Sequence, residues 1–441
     1  MRLLLVSSPR PNSDETPFHL GDNRPPLGLG YLASYTRKHG HIVKIVDLYH
    51  FGGGKVGNII TVNSEVKESD YIINLWDEID MFKPDFIGFY IGIISYYLIK
   101  DLILKIRKKY SHIILLAGGP YISANPDTKL TKYFNCCVIG EGEHILPELL
   151  NKGKNDNFQN RICGKMAETL DELPFPDYND FFDKPYNFKL KIFDNSLDKV
   201  FTINSTRGCP FSCKFCCVGN KKFRSISPQI LIDYILDLKL EYKINGIYFR
   251  EDNFTINNKR LEEFCDRMIK CGANLKWACE SRVKNLNNNL IEKMAKSGCV
   301  GLYIGVESGS NRMLEYMKKE ESVEDFLEKF PVLHNNGIQT YTTWIYNLPT
   351  ETKYDRYLSQ KLLEKLNPTY ADDMVFLAIH GSEFYNTIND SGKYEYKEES
   401  GVIYTSGFFK MAEHIWKNDD RCTYVRNLYE KNKITPGEVD I

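Results

Sequence analysis

The sequence predicts an α/β protein built from two parallel-sheet units. The first is a doubly wound sheet over residues 1–150. The second is a partial (β/α)6 barrel over residues 200–386, followed by a short C-terminal extension over residues 387–441. Three observations lead there. Apolar strand-like runs alternate with helix-like runs in two separate series, the pattern of strands joined by crossover helices. An irregular stretch over residues 151–199, opening with Asn, Lys and Asp, separates the two series. Glycine-rich and polar motifs fall where strands end, which is where parallel α/β folds bind ligands. With 441 residues, 42% hydrophobic and 26% charged, the chain can support two or three domains with packed cores.

In the first series, residues 2–7 form an apolar run ending in small polar residues. Residues 27–39 have helical periodicity and stop at Gly40. Residues 42–48 alternate as a strand, 85–91 read as a buried strand and 97–110 as a basic amphipathic helix. Residues 113–116 form a strand leading into Ala117-Gly-Gly-Pro120. A last short strand at 136–140 precedes Glu141-Gly-Glu143 and a helix near 144–150. Gly118, Gly119 and Gly140 stand at strand ends, where a missing side chain admits a flat ligand to the backbone. Taken singly, each reads first as a turn glycine. Residues 151–199 read as a linker over the surface, braced by Asp171-Glu-Leu-Pro-Phe-Pro-Asp177. The second series has strands at 200–205, 246–251, 275–280, 300–307, 338–346 and 374–379. Helices over 230–241, 259–271, 289–296 and 323–335 lie between them.

The densest chemistry lies just after the first strand of that second series, in Thr206-Arg-Gly-Cys-Pro-Phe-Ser-Cys-Lys-Phe-Cys216. Cys209, Cys213 and Cys216 follow a C-x3-C-x2-C spacing. Zinc takes four ligands, usually as paired C-x2-C units or with histidines, and neither accompanies this run. A disulfide framework belongs to small secreted chains. Three thiolates suit three corners of a [4Fe–4S] cube, whose fourth iron is left for another ligand. Cys217 reads as a bystander, since a neighbouring side chain points elsewhere.

Polar residues collect at the other strand ends of this series. Glu251 and Asp252 suit a cationic amine. Glu280 with Arg282, and Glu307 with Ser308, suit hydroxyls and a carboxylate. Each pair alone reads as a solvated turn; four polar ends around one mouth, one carrying the cysteines, read as a binding site. His50 and His144 read as structural. A net charge of −1 gives no electrostatic case for nucleic acid. The N-terminus lacks the pattern of a signal peptide, and the most apolar stretch, 86–99, is too short for a membrane span, so a cytoplasmic protein is expected.

Taken together, these residues resemble the radical S-adenosylmethionine (SAM) superfamily, in its branch with an N-terminal cobalamin-binding-type domain. The likeness covers residues 1–385. It rests on the cysteine run and on an ordered set of further motifs: Pro25-Pro-Leu-Gly-Leu-Gly-Tyr-Leu32, Gly118-Gly-Pro120, Gly140-Glu-Gly-Glu143, Leu173-Pro-Phe-Pro176, Glu251-Asp-Asn-Phe-Thr255 and Gly305-Val-Glu-Ser-Gly309. The resemblance implies that Cys209, Cys213 and Cys216 hold a [4Fe–4S] cluster whose open iron is chelated by SAM. It implies Phe215 near the adenine, and Glu251 and Asp252 near the methionine amine. Glu280, Arg282, Glu307 and Ser308 would line the ribose and carboxylate, and cobalamin would lie against Gly118, Gly119 and Gly140. The implied activity is reductive cleavage of SAM to a 5′-deoxyadenosyl radical, leading to methylation of an unactivated carbon or phosphorus centre in a small molecule or natural product. An electron donor such as flavodoxin or ferredoxin would serve it. Two alternatives stand beside it: a cobalamin-free dehydratase, epimerase or rearrangement enzyme on a sugar or natural-product scaffold, and a non-catalytic iron–sulfur protein. The chain departs from the family pattern in three places. It has no Asp-x-His-x-x-Gly run to offer a lower axial cobalt ligand. Asn347 stands where glycine is usual before Leu348-Pro-Thr-Glu-Thr352, and His380-Gly-Ser-Glu383 replaces Pro-Gly-Thr-Pro.

Overall fold

The computed structural model describes residues 1–9, 23–51, 73–93, 96–219, 221–376, 378–389, 395–397 and 402–404. The expected C-terminal extension, 387–441, lies mostly outside them. The first sheet contains β1 (Arg2–Ser7), β2 (Ile42–Val46), β3 (Phe86–Tyr90), β4 (Ile114–Gly118), β5 (Cys136–Ile139) and β6 (Arg161–Cys163). Its spatial order is β2-β1-β3-β4-β5-β6, with each pairing parallel. Strand order reverses between β1 and β3, so the ligand-binding crevice of such a sheet opens beyond Ser7 and Tyr90. Those two ends are joined by the Ser8 amide donating to the Tyr90 carbonyl at 2.8 Å. The strands are buried apolar runs because helices cover both faces.

The second sheet contains β7 (Val200–Ile203), β10 (Gly246–Phe249), β11 (Lys276–Ser281), β12 (Cys299–Glu307), β13 (Gln339–Tyr346) and β14 (Tyr370–Val375). They lie side by side in sequence order, all parallel, as a partial barrel requires. Between β7 and β10, β8 (Thr206–Arg207) and β9 (Arg224–Ser225) form a separate antiparallel ribbon. Three short strands near the C-terminus, β15 (Ala378–Ile379), β16 (Glu395–Lys397) and β17 (Val402–Tyr404), form a small sheet of their own.

Three expectations are corrected. The sixth barrel strand is 370–375 rather than 374–379. It is an edge strand, so Asp372 and Asp373 are tolerated in it, and the apolar run that drew the expectation ends in the small sheet. Residues 161–163, read as linker, supply the outermost strand of the first sheet. Residues 151–166 stay at the surface as expected, but the rest of the segment does not. Leu170, Leu173, Tyr178, Phe181, Tyr186, Leu190, Phe193 and Leu197 are all buried. Tyr178 stacks on Phe201 of β7 with ring centroids 4.0 Å apart, and Phe175 stacks on Tyr234 at 3.7 Å. The helix over Leu27–Lys38 packs on the other side of this segment. A side chain at Gly30 would meet the Pro176 Cβ at 2.7 Å, and Arg37 pairs bidentately with Asp180 at 2.7 Å. One apolar core therefore runs from the first sheet, through this segment, into the outer wall of the barrel. Among the described residues no helix is long and apolar enough to cross a membrane.

Inside the barrel, Phe193 closes the lower end by lying against Gly301 and the Tyr303 ring, 4.9 Å between centroids. A Cβ at Gly301 would sit 2.3 Å from the Phe193 ring. Gly301→Ala is therefore expected to destabilise the fold by about 1–3 kcal/mol through overpacking. Chemical denaturation should show that loss, and Phe193→Leu in the same chain should restore part of it.

Candidate active site

The cysteine loop, residues 208–223, is closed at its base by the β8–β9 ribbon. Gly208 has φ +83°, and a Cβ there would lie 2.4 Å from the Lys222 carbonyl, so only glycine lets the two sides of the loop meet. The Lys221 amide donates to the Cys209 carbonyl at 2.8 Å and the Cys216 amide to the Cys213 carbonyl at 3.0 Å. Lys214 ties the loop outward: its amide donates to Met317 O, and its carbonyl accepts from the Phe384 amide, both at 2.9 Å. Cys209, Cys213 and Cys216 are free thiols, all partly buried. Burial raises each thiol's pKa, that of Cys216 up to about 11. Coordination to a metal is what would make such thiols ionise at neutral pH. The Val218 amide already points at the Cys216 sulfur at 3.4 Å. Among the described residues no group of three or more Cys, His, Asp or Glu converges on a single-ion position. Thiolates spread over the corners of a cube need not do so.

Beside Cys213 lies a buried network of four charges. Arg282 stacks on the Phe211 ring at 3.8 Å, donates through Nε to Glu321 at 3.1 Å, and brings Nη1 to 4.0 Å from the Cys213 sulfur. Its Nη2 is buried with no hydrogen-bond partner among the described residues. Lys319 lies between Glu307, at 3.8 Å, and Glu321, at 3.4 Å. Glu321 also accepts from the Val283 amide at 2.8 Å and the Lys284 amide at 3.2 Å. Glu307 caps β12 at φ +69°, where the register with β13 slips, and burial raises its carboxyl pKa against the pull of Lys319. Lys319 and Glu321 escaped the sequence reading because Lys318-Lys-Glu-Glu321 looks like a solvated charge run. Only the turn after Tyr316 buries the second and fourth members, whose side chains are 6% and 0% exposed.

The other expected residues divide. Asp252 is exposed and close enough to Cys209 to raise its pKa. Glu280 is half-buried in the barrel and accepts from the Tyr248 hydroxyl at 2.5 Å. Glu251 and Ser308 do not face the mouth. Glu251 spends both carboxylate oxygens on the Ser205 amide and hydroxyl and on the Thr206 hydroxyl. It thereby fixes the turn leading into the cysteine loop. Ser308 is fully buried, accepting from the Ser310 amide at 3.2 Å and lying 3.4 Å from the Ser359 hydroxyl. Phe215 packs against the core.

A radical SAM superfamily profile matches residues 203–361, and a B12 binding domain profile matches residues 19–150. The chain belongs to the radical SAM superfamily, in the branch with an N-terminal B12-binding domain. An uncharacterized methyltransferase of Pyrococcus horikoshii is 27% identical over 87% of this chain and 82% of its own length. The anaerobic magnesium-protoporphyrin IX monomethyl ester cyclase of Rubrivivax gelatinosus is 23% identical over 88% and 70%. Among solved structures, the radical SAM methyltransferase TsrM of Kitasatospora setae, with tryptophan and a SAM analogue bound, superimposes with a TM-score of 0.69. It is 14% identical and covers 96% of this chain and 89% of its own, a likeness of fold.

This enzyme's cofactors are accordingly a [4Fe–4S] cluster, SAM and cobalamin. The residues fit them. Three free thiols lie on one glycine-closed loop, and a buried guanidinium nitrogen of Arg282 beside it has no partner among the described residues. On the first sheet, a Cβ at Gly140, φ +89°, would meet nothing within 4 Å, leaving its backbone open to a large flat group. Gly119 is explained otherwise: a Cβ there would lie 2.8 Å from the Ile91 amide nitrogen, so it serves the turn. A Cβ at Gly118 would make only ordinary contact with Val138.

The two units meet over the mouth. A cavity of about 230 Å³ is lined from the first unit by Pro25–Leu29 and Tyr90, and from the barrel by Thr202, Asn204 and Arg250. Neither Asn347 nor His380, where the chain departs from the family pattern, lines it. Asn347 occupies φ +62°, a conformation asparagine tolerates almost as glycine does. His380 packs edge-on to Tyr121 of the first unit, 5.5 Å between centroids, and lies 3.1 Å from the Tyr385 hydroxyl. At Gly381, φ +87°, a Cβ would meet Ala124 at 3.0 Å and Cys217 at 3.5 Å. Cys217 thus lies near Gly381, which packs on Ala124 of the first unit.

Burial pushes the His380 pKa from its ordinary 6.5 to about 4. Between those values the unfolded chain binds a proton that the folded chain refuses, so stability present above pH 6.5 is lost as pH falls toward 4. Melting temperatures measured across this range should fall less steeply in His380→Asn than in the parent. Parallel curves at every pH would sink the assignment.

Proposed function

We propose that the enzyme is a cobalamin-dependent radical SAM methyltransferase acting on an unactivated carbon or phosphorus centre of a small molecule or natural product. The observation that carries this reading is the cavity between the units, lined by Pro25–Leu29 and Tyr90 at the carboxyl edge of the B12-binding sheet and by Thr202, Asn204 and Arg250 of the barrel, whose first strand leads into the cysteine loop. A methyl donor held by one unit and a radical generated in the other must reach the same substrate atom, and such a cavity suits that task. The methyltransferase name of the Pyrococcus relative agrees with it.

In this reading Cys209, Cys213 and Cys216 ligate the cluster, and Arg282, through its unpartnered Nη2, takes the SAM carboxylate in a charge-assisted hydrogen bond. When bound, the cluster and SAM supply the 5′-deoxyadenosyl radical and cobalamin carries the methyl group. The chain's own work is to hold and to exclude water. Asp252 and Glu280 lie at the mouth for the SAM amine and ribose. Lys319 keeps Glu307 and Glu321 from repelling one another beneath them. Glu251 and Ser308 act one step back, fixing the turns that carry these groups. Gly140 gives the corrin face its approach, Pro25–Leu29 and Tyr90 roof the substrate space, and a flavodoxin or ferredoxin supplies the electron.

The cyclase relative favours a second reading, in which the same radical closes a ring without methyl transfer. Anaerobic turnover with SAM deuterated in its methyl group separates the two. A product carrying the label supports methyl transfer, whereas 5′-deoxyadenosine with an unlabelled product supports cyclisation. Protein purified anaerobically after growth with cobalamin is expected to contain iron, sulfide and about one cobalt; iron without cobalt would sink the methyltransferase reading. Cys213→Ala is expected to abolish both the cluster absorbance and SAM cleavage, and retained cleavage would overturn the cysteine assignment.

A further inference from the structure

The two ends of the cysteine loop are not held by the barrel alone. Arg207, immediately before Gly208, and Arg224, at the loop's return, stand opposite one another on β8 and β9. Both guanidinium groups reach across to the first unit. Arg207 donates to Glu143 at 2.6 Å and lies 3.4 Å from Glu141. Arg224 pairs with Glu141 through both terminal nitrogens and donates to the Ala167 carbonyl at 2.7 Å. The Glu143 side chain is 6% exposed and that of Arg224 7%. Tyr31 completes the contact, with its ring 5.1 Å from the Arg207 guanidinium and its hydroxyl donating to the Asn204 carbonyl at 2.5 Å. The backbone that carries the carboxylates is tightly packed. A Cβ on Gly164 would overlap the Glu141 carbonyl, and one on Gly142 would lie 3.1 Å from Leu32. The two carboxylates lie one and three positions after Gly140, which stands just past the carboxyl end of β5 with its backbone open.

We propose that Glu141 and Glu143 are positioning residues for the cysteine loop, so that the B12-binding unit sets the geometry in which the barrel holds its cluster and SAM. The proposal rests on the assignment of Cys209, Cys213 and Cys216 to the cluster. The physical reason is reach. The loop carries three ligands over residues 208–223, whose described residues form no helix or strand, and a ligand displaced by about 1 Å can cost on the order of a hundredfold in a reactive geometry. Largely buried ion pairs, Arg207 to Glu143 and Arg224 to Glu141, tie the loop's base to the first unit, which hydrogen bonds within the loop cannot do. Because Gly140 belongs to the same turn, a corrinoid lying on it bears on the carboxylates that hold the cluster loop.

The test uses the full-length protein with its cluster reconstituted anaerobically. Three quantities are read on the parent and on Glu143→Gln: iron content, the EPR spectrum of the reduced cluster with SAM, and the SAM dissociation constant. Glu143→Gln is expected to weaken SAM about tenfold and to alter the spectrum, or to lose iron while still showing a cooperative melt. Full iron with the parent's spectrum and affinity would overturn the proposal. If Glu143→Gln does not fold, Arg207→Lys, which keeps the charge but not the forked reach, decides on the same readouts: weakened SAM supports positioning, and parent values overturn it. A parent protein that holds no cluster would sink the cysteine assignment itself, a different result from a parent with a cluster and an indifferent variant.

Discussion

The structure depends on a buried apolar seam between two parallel sheets. Tyr178 on Phe201, Phe175 on Tyr234, and Gly30 against Pro176 join the helix over Leu27–Lys38, the 170–197 segment and the first barrel strand into one core. Stacked aromatic pairs of this kind add about 0.5–1.5 kcal/mol each beyond the area they bury. Their larger consequence is directional. All strands of a parallel sheet end on one side, so a rigid seam between two such sheets decides whether their carboxyl edges look at each other or away. Here it sets Tyr90 against Asn204 and Arg250 at the ends of the first two barrel strands, and the mouth follows from that.

Around the mouth, charge is arranged in layers. Closest to Cys213 are Arg282 and the carboxylates that Lys319 neutralises. Behind the loop are the Arg207 and Arg224 pairs with Glu143 and Glu141. Burial raises the pKa of the Glu141 carboxyl, but the Arg224 hydrogen bonds and the Arg207 charge outweigh it and hold it below the ordinary range. Unpaired charges in such places would cost several kcal/mol each. Paired, they fix directions that an apolar filling would leave loose. The strained backbone at Glu307 belongs to the same layer, held by its neighbours rather than by preference.

Several features were legible from residue order alone, and others were not, for identifiable reasons. Strand and helix positions in both series followed from apolar periodicity, which local burial imposes. The exceptions among the strands were β6, a three-residue edge strand too short to show a period, and β14, whose Asp372 and Asp373 mimic a loop because an edge strand is wet on one side. The 170–197 segment hid its burial because its aromatics are spaced irregularly, without a helical or strand period to betray a packed face. Lys319 and Glu321 hid within a charge run. Glu251 and Ser308 were found, but their direction was not: a carboxylate at a strand end can turn to a ligand or to its own turn, and only Ser205, Thr206 and Ser359 in place decide which.

By itself, the sequence determined the chemistry on offer: three thiols at a spacing suited to a cluster with one open iron, glycines where a loop must fold sharply, and carboxylates and arginines at strand ends. These are properties of residue type and short spacing, which survive in any drawing of the chain. Tertiary structure decided which of those groups work together. Glu141 and Arg224 are 83 positions apart, with the linker, the first barrel strand and the cysteine loop between them, yet they form one ion pair. Whether Gly140 or Gly119 is the open glycine depends on a strand brought alongside from elsewhere. Long-range pairing of that kind is set by how two cores dock, and docking leaves no periodic trace in the sequence.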